Sequence, residues 1–411
     1  MSVNLFLYID PGTGSMLFSV IIGLVTTLYF VSKAAFIKMK TLFLGRSKVL
    51  REKKRLPLVL YNEGIQYSNV FKPVLDELEA RKVSAVYYTS AENDPVFDTP
   101  WHFIRAEYIG KGNKAVARLN FLEADVCLMT TPALDVYQMK RSKGVRHYSH
   151  ILHAVDDATS YRLFGLDYFD SVLLSGEYQK KHIRELEAKR DIPAKDLVVV
   201  GCPYLDVLKT KVASLEAEKD HTFTVLVAPS WGESALLSKY GTRLLDPLMK
   251  TGFRIIIRPH PQSVASEAAM LEKLKVRYPE TERMIWDFSR ENLIPLSKSD
   301  IMISDFSGVI FDYVFLFDRP FLYVNQNFDL RPYDAFDVEE APWKFRILGE
   351  IGRELTEDQF DNLGPILNSL AKDPLLAGKR QEAKNTAWQH VGESGKRSAD
   401  YLEGIVSQLK Y

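Results

Sequence analysis

One segment in the second half of the chain, SDIMISDFSGVIFDYVFLFDRPFLYV, combines residue types that can hold a phosphate group. Residues 301–303 form an apolar run that predicts a short buried strand, and small polar residues including Ser307 and Gly308 follow it as a turn. The apolar spacing over residues 309–317 then predicts a helix. Because the first backbone N–H groups of a helix have no partner inside it, this order of elements forms a cradle for an anion. The alternative is an ordinary crossover in which Ser304 and Asp305 only cap the helix.

A second polar tetrapeptide, Arg258-Pro259-His260-Pro261, follows a predicted strand over residues 253–257. The two prolines restrict the backbone around His260 and hold its imidazole at the end of the strand. The neighbouring Arg258 carries a guanidinium group, whose geometry suits phosphate oxygens. This arrangement favours a functional histidine over one that only satisfies hydrogen bonds in a core.

A third candidate is the segment YSHILHAVDD, residues 148–157, where His153 precedes Asp156 and Asp157. A carboxylate next to an imidazole fixes its tautomer and raises its basicity, so His153 is predicted to be a general base. A hydrogen-bonded structural histidine is the alternative, and it is the stronger interpretation for His147 and His150. The spacing of His150 and His153 allows a metal pair, but no third ligand with suitable spacing follows, so no metal site is predicted.

The elements around these residues alternate between short apolar runs and segments of helical period from residue 56 onward, which predicts mostly parallel sheets with helices on both faces. Ligands of such sheets bind at the carboxyl ends of the strands. Two strand ends of the first half are therefore informative: Glu63-Gly64 after residues 58–61, and the segment 148–157 that carries His153.

Composition bounds the possible functions. The chain has 411 residues, enough for two domains, and 53 basic residues balance 53 acidic ones, which does not suggest a nucleic-acid partner. Its two cysteines, Cys127 and Cys202, lie far apart in sequence and provide neither a disulfide framework nor a metal signature.

The N-terminus departs from this balance. Residues 15–32 carry no charge, and with Gly14 they approach the ~20 residues that a membrane-spanning helix needs. Nine Lys and Arg residues follow between Lys33 and Arg55, whereas none precedes the apolar stretch. This asymmetry predicts a retained anchor rather than a cleaved signal peptide, with the bulk of the chain in the cytoplasm. The basic run could also contact anionic lipids, or it is a solvated linker.

Several of these segments occur in the order of one family. IIIRPHP matches an Arg/Lys-x-His-Pro motif, and SDIMISDFSGVIFDY matches a Ser-Asp-x-x-x-Thr-Asp-Tyr-Ser-Ser-x-x-Phe-Asp signature. ILHAVDD, DSVLLSGEY, VVVGCPYLD and VLVAPSW resemble further segments of the same set. On these motifs, which cover roughly residues 148–324, the chain resembles the bacterial CDP-glycerol glycerophosphotransferases, the teichoic-acid primases and polymerases.

The resemblance implies a GT-B-like α/β fold, with two facing Rossmann-like domains, and two catalytic histidines, His153 and His260. It implies a nucleotide-donor site and an acceptor side of the cleft. The residues predicted to bind the donor are Arg258, Ser304, Asp305, Ser307, Gly308, Ser230 and Glu233. The residues predicted to line the acceptor side or the cleft are Glu63, Gly64, Asp156, Asp157, Gly201 and Pro203.

The chain also departs from the family pattern. Tyr204 and Gly232 stand where the family has arginines, Gly308 replaces a serine, and Ala154-Val155-Asp156 replaces Gly-Thr-Pro. These changes favour a divergent branch in which nucleotide-diphosphate binding is retained better than the identity of the acceptor.

The sequence therefore predicts a membrane-anchored transferase that moves an alditol phosphate from a CDP-linked donor to a lipid-linked or polymeric acceptor of the bacterial cell envelope. No cofactor other than this co-substrate is predicted, and the partners are the donor, the acceptor and membrane lipids. A GT-B glycosyltransferase that uses a nucleotide sugar and a catalytically degenerate scaffold are the alternatives. The predicted domains are an extracytoplasmic N-terminus (1–13), a transmembrane anchor (14–32), a basic linker (33–55), an acceptor domain (56–210), a donor domain (220–380) and C-terminal helices that pack back on both domains (381–411).

Overall fold

The computed structural model describes residues 26–28, 32–33, 55–215, 222–325 and 328–410. Two sheets, of seven and six strands, lie within one compact unit, Leu56–Tyr411. All strand pairs formed by the described residues are parallel, so the predicted α/β class with parallel sheets is confirmed.

The first sheet has the strand order β3-β2-β1-β4-β5-β6-β7. Its central strands are short apolar runs that are buried on both faces, as is typical of parallel sheets covered by helices. The strands are β1 (Leu56–Asn62), β2 (Ala85–Thr89), β3 (Ile104–Tyr108), β4 (Ala124–Met129), β5 (Val145–Ile151), β6 (Ser171–Leu174) and β7 (Asp196–Val199).

Four α-helices accompany this sheet: α1 (Ser68–Ala80), α2 (Asn113–Leu119), α3 (Lys180–Arg190) and α4 (Pro203–Val212). Helix α1 buries Val70, Phe71, Val74, Leu75 and Leu78, a helical spacing that turns one apolar stripe toward the sheet. Burial of each such side chain contributes about 2 kcal/mol before the entropy cost of ordering it.

The second sheet has the order β10-β9-β8-β11-β12-β13. Its strands are β8 (Thr224–Val227), β9 (Arg254–Ile257), β10 (Met284–Trp286), β11 (Ile301–Ser304), β12 (Phe321–Tyr323) and β13 (Arg353–Glu354). The helices after β8 are α5 (Leu236–Lys250), α6 (Pro261–Ser266), α7 (Ala268–Arg277), α8 (Leu293–Lys298), α9 (Val309–Phe317), α10 (Trp343–Ile351), α11 (Leu363–Ala371), α12 (Ala377–Ala387) and α13 (Ser394–Gln408).

The last helix returns to the first sheet. Leu402 and Ile405 of α13 share a core with Leu58 and Phe71, and Arg81 at the end of α1 forms ion pairs with Asp400 and Glu403. Asp206 of α4 fixes the entry to this helix, because its carboxylate accepts hydrogen bonds from the Trp388 indole at 3.0 Å and from the Gly392 backbone N–H at 2.7 Å. The exact domain limits stay predictions.

The strand order of each sheet predicts where its ligand-binding crevice lies. Taken in chain order within each sheet, the first six strands follow the order 3-2-1-4-5-6, the Rossmann arrangement. The order reverses between β1 and β4 in the first sheet and between β8 and β11 in the second. Such sheets bind ligands outside the carboxyl ends of the strands at this reversal. The segments that follow these four strands are therefore expected to line the ligand-binding crevices.

The predicted N-terminal anchor lies almost entirely outside the described residues. Of residues 14–32, the structure describes only 26–28 and Ser32, all helical, and it describes only Lys33 and Arg55 of the basic linker. Within the described part of the chain, no helix combines the length and the apolar character needed to cross a bilayer.

Candidate active site

Asp305 organises the crevice of the second sheet. Its carboxylate accepts hydrogen bonds from the backbone N–H groups of Ser230 (2.9 Å), Leu236 (2.8 Å) and Ser307 (3.1 Å). The residue is buried, and burial raises the pKa of its carboxyl group while these N–H donors oppose the rise. Asp305 thus ties the segment after β8 to the segment after β11, and its oxygen atoms serve the protein rather than a ligand.

The turn between β11 and α9 presents backbone N–H groups at a helix start. The Ser304 hydroxyl is buried and donates to the Ala228 carbonyl at 2.6 Å, which joins the two central strands of the sheet. Gly308 is the N-cap of α9, and no side chain caps this helix. Within the described residues, the backbone N–H groups of Gly308 and Val309 have no acceptor. Open space lies in front of the Gly308 α-carbon, so these N–H groups can receive an anion.

His260 follows β9 of the same sheet, and a hydrogen bond defines its tautomer. Its Nδ1 accepts a hydrogen bond from the Gln262 backbone N–H at 3.1 Å and so caps α6. A ring nitrogen that accepts carries no proton, so the neutral ring carries its proton on Nε2. Burial lowers the pKa of His260, which favours this neutral form. The Trp231 ring stacks near the imidazole, with 6.4 Å between the ring centroids.

The other residues predicted to bind the donor differ in how many of their polar groups are already bonded within the protein. The buried Arg258 guanidinium forms an ion pair with Asp287 and contacts the Ser289 hydroxyl at 3.2 Å, so part of its donor capacity is used. Ser230 contributes its backbone N–H to Asp305, whereas Glu233 is exposed in the segment after β8. Their roles toward a donor stay predictions.

The crevice of the first sheet is built from side chains. His153 follows β5, and its Nδ1 lies 3.3 Å from the Tyr161 hydroxyl, which also lies 2.9 Å from Nε2 of His150. The Tyr67 ring packs edge-on against the His153 ring at 5.1 Å between centroids. Burial lowers the pKa of His153, and the charge of Asp156 opposes this effect. We expected a carboxylate to orient His153, but the hydrogen-bonding partner of Nδ1 is a phenol.

Glu63 and Gly64 follow β1, at the reversal point of the same sheet. The Gly64 backbone N–H donates to the Asn62 side chain at 3.1 Å. The Glu63 carboxylate is partly buried, and burial raises its pKa; the Tyr67 hydroxyl nearby partly opposes the rise. Burial, and then the charge of Glu63, raise the pKa of Tyr67. A phenol therefore lies against His153 and a carboxylate lies next to that phenol, which makes this region able to bind and deprotonate a hydroxyl group.

The two aspartates after His153 perform a different task. The Asp157 carboxylate accepts hydrogen bonds from the first backbone N–H groups of α10, those of Trp343 and Lys344, both at 2.9 Å. Asp156 forms an ion pair with the Lys344 side chain at 3.0 Å. Burial raises the pKa of Asp157 to about 6. These carboxylates attach the segment after β5 to the helix between β12 and β13 of the second sheet, and a carboxylate at a helix N-terminus is stabilised there.

Gly201 and Pro203 are not brought together with the other predicted cleft residues. Gly201 has φ of +95° after β7, and a β-carbon there would lie 2.6 Å from the Gln389 carbonyl oxygen. Pro203 is buried as the first residue of α4. Gly201 therefore packs against the C-terminal segment, which makes it a residue of the connection to that segment in this structure.

Tyr204, which stands where the family has an arginine, also has a structural partner. Its hydroxyl donates to the Asp312 carboxylate at 3.1 Å, and the Asn292 amide donates to the same carboxylate at 2.7 Å. Burial raises the pKa of Asp312 to about 6. The change at this position therefore leaves Asp312 with two neutral partners at the contact between α4 and α9.

The carboxyl ends of the two sheets adjoin. The Arg290 guanidinium, after β10, donates to the Ile65 carbonyl, after β1, at 3.2 Å. Sequence reasoning missed Tyr67 and Tyr161, which flank His153. Tyr67 lies four residues after Glu63 and could have been found as the first aromatic residue after that strand end. Tyr161 falls in a segment without a regular pattern, and no local signal marks it.

This architecture, two Rossmann-type sheets with polar groups where their carboxyl ends meet, defines a protein of the GT-B type. Solved structures share the fold. The wall teichoic acid polymerase TagF matches with a TM-score of 0.56 at 15% identity, covering 95% of this chain and 99% of that one. MnaA from S. aureus in complex with UDP has a TM-score of 0.56 at 13% identity, covering 86% and 98%. A UDP-GlcNAc 2-epimerase from Methanocaldococcus jannaschii has a TM-score of 0.55 at 12% identity, covering 84% and 99%.

The match to a family model is more specific than the similarity of fold. Residues 138–342 match the model of the family described as CDP-glycerol:poly(glycerophosphate) glycerophosphotransferase. The chain belongs to this family and is a transferase of the CDP-glycerol glycerophosphotransferase type. A sequence comparison with curated proteins gives no match.

Proposed function

We propose that the chain transfers an alditol phosphate, with glycerol phosphate as the first candidate, from a CDP-linked donor to a hydroxyl group of a cell-envelope polymer or a lipid-linked acceptor. The observation that supports this most is the position of the two family histidines. Both lie within the matched segment, and both directly follow a strand at the edge where the two sheets adjoin.

In the donor half, the pyrophosphate binds at the start of α9. The backbone N–H groups of Gly308 and Val309 and the positive end of the helix dipole stabilise its negative charge. His260 donates its Nε2 proton in a hydrogen bond to a phosphate oxygen, because its Nδ1 is occupied by Gln262. As a neutral donor it stabilises the charge that develops on the CMP leaving group.

In the acceptor half, His153 is the general base. The lowered pKa keeps the ring unprotonated at neutral pH, so it can take the proton of the acceptor hydroxyl. The hydroxyl oxygen then attacks the phosphorus that bears the alditol. The new oxygen–phosphorus bond forms as the bond to the CMP oxygen breaks, and the proton stays on His153. Tyr67, which packs against this ring, and Glu63, which lies next to Tyr67, orient the acceptor.

The test is an assay of the full-length protein in detergent or lipid with CDP-glycerol, CDP-ribitol and UDP-GlcNAc, each with a glycerol-phosphate-primed lipid acceptor. We expect CMP release and an acceptor mass increase equal to one alditol phosphate. A mass increase equal to a sugar, with UDP release, would instead show a nucleotide-sugar glycosyltransferase. If no nucleotide is released from any donor and none shifts the melting temperature, the proposed function is wrong.

We further propose that residues 14–32 anchor the chain in the bacterial cytoplasmic membrane in a single pass, with both sheets on the cytoplasmic side. The support is the uncharged stretch and the basic residues that follow it, from Lys33 to Arg55. The protein should sediment with membranes and resist extraction by 1 M salt, about the concentration at which surface charges are screened within 3 Å. Release by salt alone would show an electrostatic association only.

A further inference from the structure

The Tyr161 hydroxyl lies between two imidazole rings. It is 2.9 Å from Nε2 of His150 and 3.3 Å from Nδ1 of His153. The Tyr161 and His150 rings are almost perpendicular, at 87°, with 5.2 Å between centroids. One hydroxyl group that can donate one hydrogen bond and accept others therefore joins a buried histidine to the proposed base.

His150 and the segment that carries Tyr161 are both fixed by further contacts. His150 lies in β5, is fully buried, and packs against the Phe169 ring at 5.0 Å. The Tyr161 carbonyl accepts a hydrogen bond from the Asp334 backbone N–H at 2.9 Å. The Asp334 carboxylate in turn binds the backbone N–H groups of Phe164 (2.7 Å) and Gly165 (3.1 Å). A residue from the segment after β12 thus holds the segment that carries Tyr161.

We propose that Tyr161 is the positioning residue of His153: it holds the ring through Nδ1, so that Nε2 is the nitrogen available to an acceptor hydroxyl. This inference rests on the proposed function for its catalytic meaning, but the hydrogen bond itself does not. Among the described residues none bonds to Nε2 of His153, which is consistent with a nitrogen kept for substrate.

The proton positions follow from this role. For Nε2 of His153 to accept a proton, Nδ1 must carry one and donate it to the Tyr161 oxygen. The Tyr161 proton is then donated to Nε2 of His150, and the neutral His150 ring carries its own proton on Nδ1. That atom is buried and has no hydrogen-bond partner. An unpartnered buried N–H group is costly and rare, and a catalytic arrangement of the neighbouring groups explains why this one persists.

The phenol also sets the pH range in which the base works. A neutral partner stabilises the imidazolium form less than a carboxylate would, so His153 stays unprotonated to lower pH. The titratable and charged groups around the ring come from four segments of the chain: the segment after β1, β5, the segment after β5, and α10. They are Glu63, Tyr67, His150, Asp156, Tyr161 and Lys344, the last through its ion pair with Asp156.

The experiment is a pH titration of the full-length protein with ¹⁵N-labelled histidine, in which the ring shifts report the protonated nitrogen. A His153→Gln spectrum assigns the signals among the eight histidines. In the native protein we expect His153 with its proton on Nδ1. In Tyr161→Phe this tautomer preference should disappear and the pKa of His153 should fall by about half to one unit, because the cationic ring loses an acceptor. The turnover number should fall about 10- to 100-fold with little change in KM for the donor.

His150→Phe is a second variant that keeps a ring in the core and removes the Nε2 acceptor. Tyr161 can then donate only to Nδ1 of His153, so the proton of His153 should move to Nε2. Tyr148→Phe is the matched control, because Tyr148 also lies in β5 but its hydroxyl accepts from the Ser142 backbone N–H at 3.0 Å. It should leave the His153 signals unchanged.

The outcomes separate this inference from the proposed function. An unchanged tautomer and pKa of His153 in both Tyr161→Phe and His150→Phe would overturn the positioning role, whatever the activity. The expected spectra in a protein that releases no nucleotide from any donor would support the hydrogen-bond chain and contradict only the proposed function.

Discussion

The two strand-end crevices are built in different ways. In the second sheet, the groups that face a ligand are backbone N–H groups and one imidazole, all held by bonds within short segments or by the single carboxylate of Asp305. In the first sheet, they are the side chains of Glu63, Tyr67 and His153, supported by Tyr161 and separated by up to 98 positions (161 − 63) along the chain. A crevice made from backbone groups suits a phosphate, which all nucleotide donors share. A crevice made from side chains can be changed residue by residue, which suits a variable acceptor.

The strongest test of this difference is Asp305→Ala. The substitution leaves three backbone N–H groups without their acceptor in a buried site, so the free energy of unfolding should fall by about 3 kcal/mol, and donor binding should be lost. Denaturant unfolding and a thermal shift with CMP measure both effects.

Asp329→Ala is the matched control for this loss. Asp329 is an exposed aspartate of the same half, paired with Arg331, and its removal should leave the free energy of unfolding close to that of the native protein. If Asp305→Ala were as stable as this control, a single carboxylate would not organise the donor crevice, and the contrast between the two crevices would fail.

The next largest effect concerns His260, whose two ring nitrogens have different roles: Nδ1 caps α6 and Nε2 is proposed to contact the donor. His260→Ala should lower the turnover number about 100-fold and, by removing the cap of α6, the free energy of unfolding by about 1 kcal/mol. His260→Asn keeps an oxygen that can accept from the Gln262 N–H but has no group in place of Nε2. It should lose the same turnover while keeping most of the stability.

A comparison of single-turnover rates and unfolding curves for the two variants decides this point. Native turnover in His260→Asn would assign the histidine to the cap alone and remove it from the donor site. The same assays on His153→Ala should give a loss of turnover with no loss of donor affinity, because His153 lies in the other crevice.

The sequence predicted the donor crevice better than the acceptor crevice, and the reason is physical. Strand, turn and helix are contiguous in residues 301–317, so their order alone indicates an anion cradle. The pattern could not show that Asp305 faces inward, since an aspartate in such a turn can serve either a ligand or the backbone. The tertiary contacts of Ser230 and Leu236 decide it.

The acceptor crevice depends on contacts that no local pattern contains. Asp156 and Asp157 follow His153 closely in sequence, which predicted a carboxylate partner, but both are directed to α10. The partner of His153 is instead Tyr161, in a segment fixed by Asp334 from the other half of the chain. Contacts of such sequence separation are determined by packing of the whole fold and are not visible in spacing.

The smallest expected effect tests the position where the chain lacks the serine of its family. Gly308 has φ of −62° and open space where a β-carbon would lie, so Gly308→Ser needs no strained backbone. The free energy of unfolding should change by only a few tenths of a kcal/mol, because glycine is nearly as good an N-cap as serine. Gly201→Ser, where φ is +95° and the new β-carbon meets a carbonyl oxygen, is the matched control and should destabilise the fold by at least about 1 kcal/mol.

Donor affinity in Gly308→Ser, measured by titration with CMP and CDP-glycerol, should be unchanged or up to a few-fold tighter if backbone N–H groups carry the phosphate contact. A large gain would show instead that the missing hydroxyl limits binding, and that the donor crevice, too, depends on a side chain.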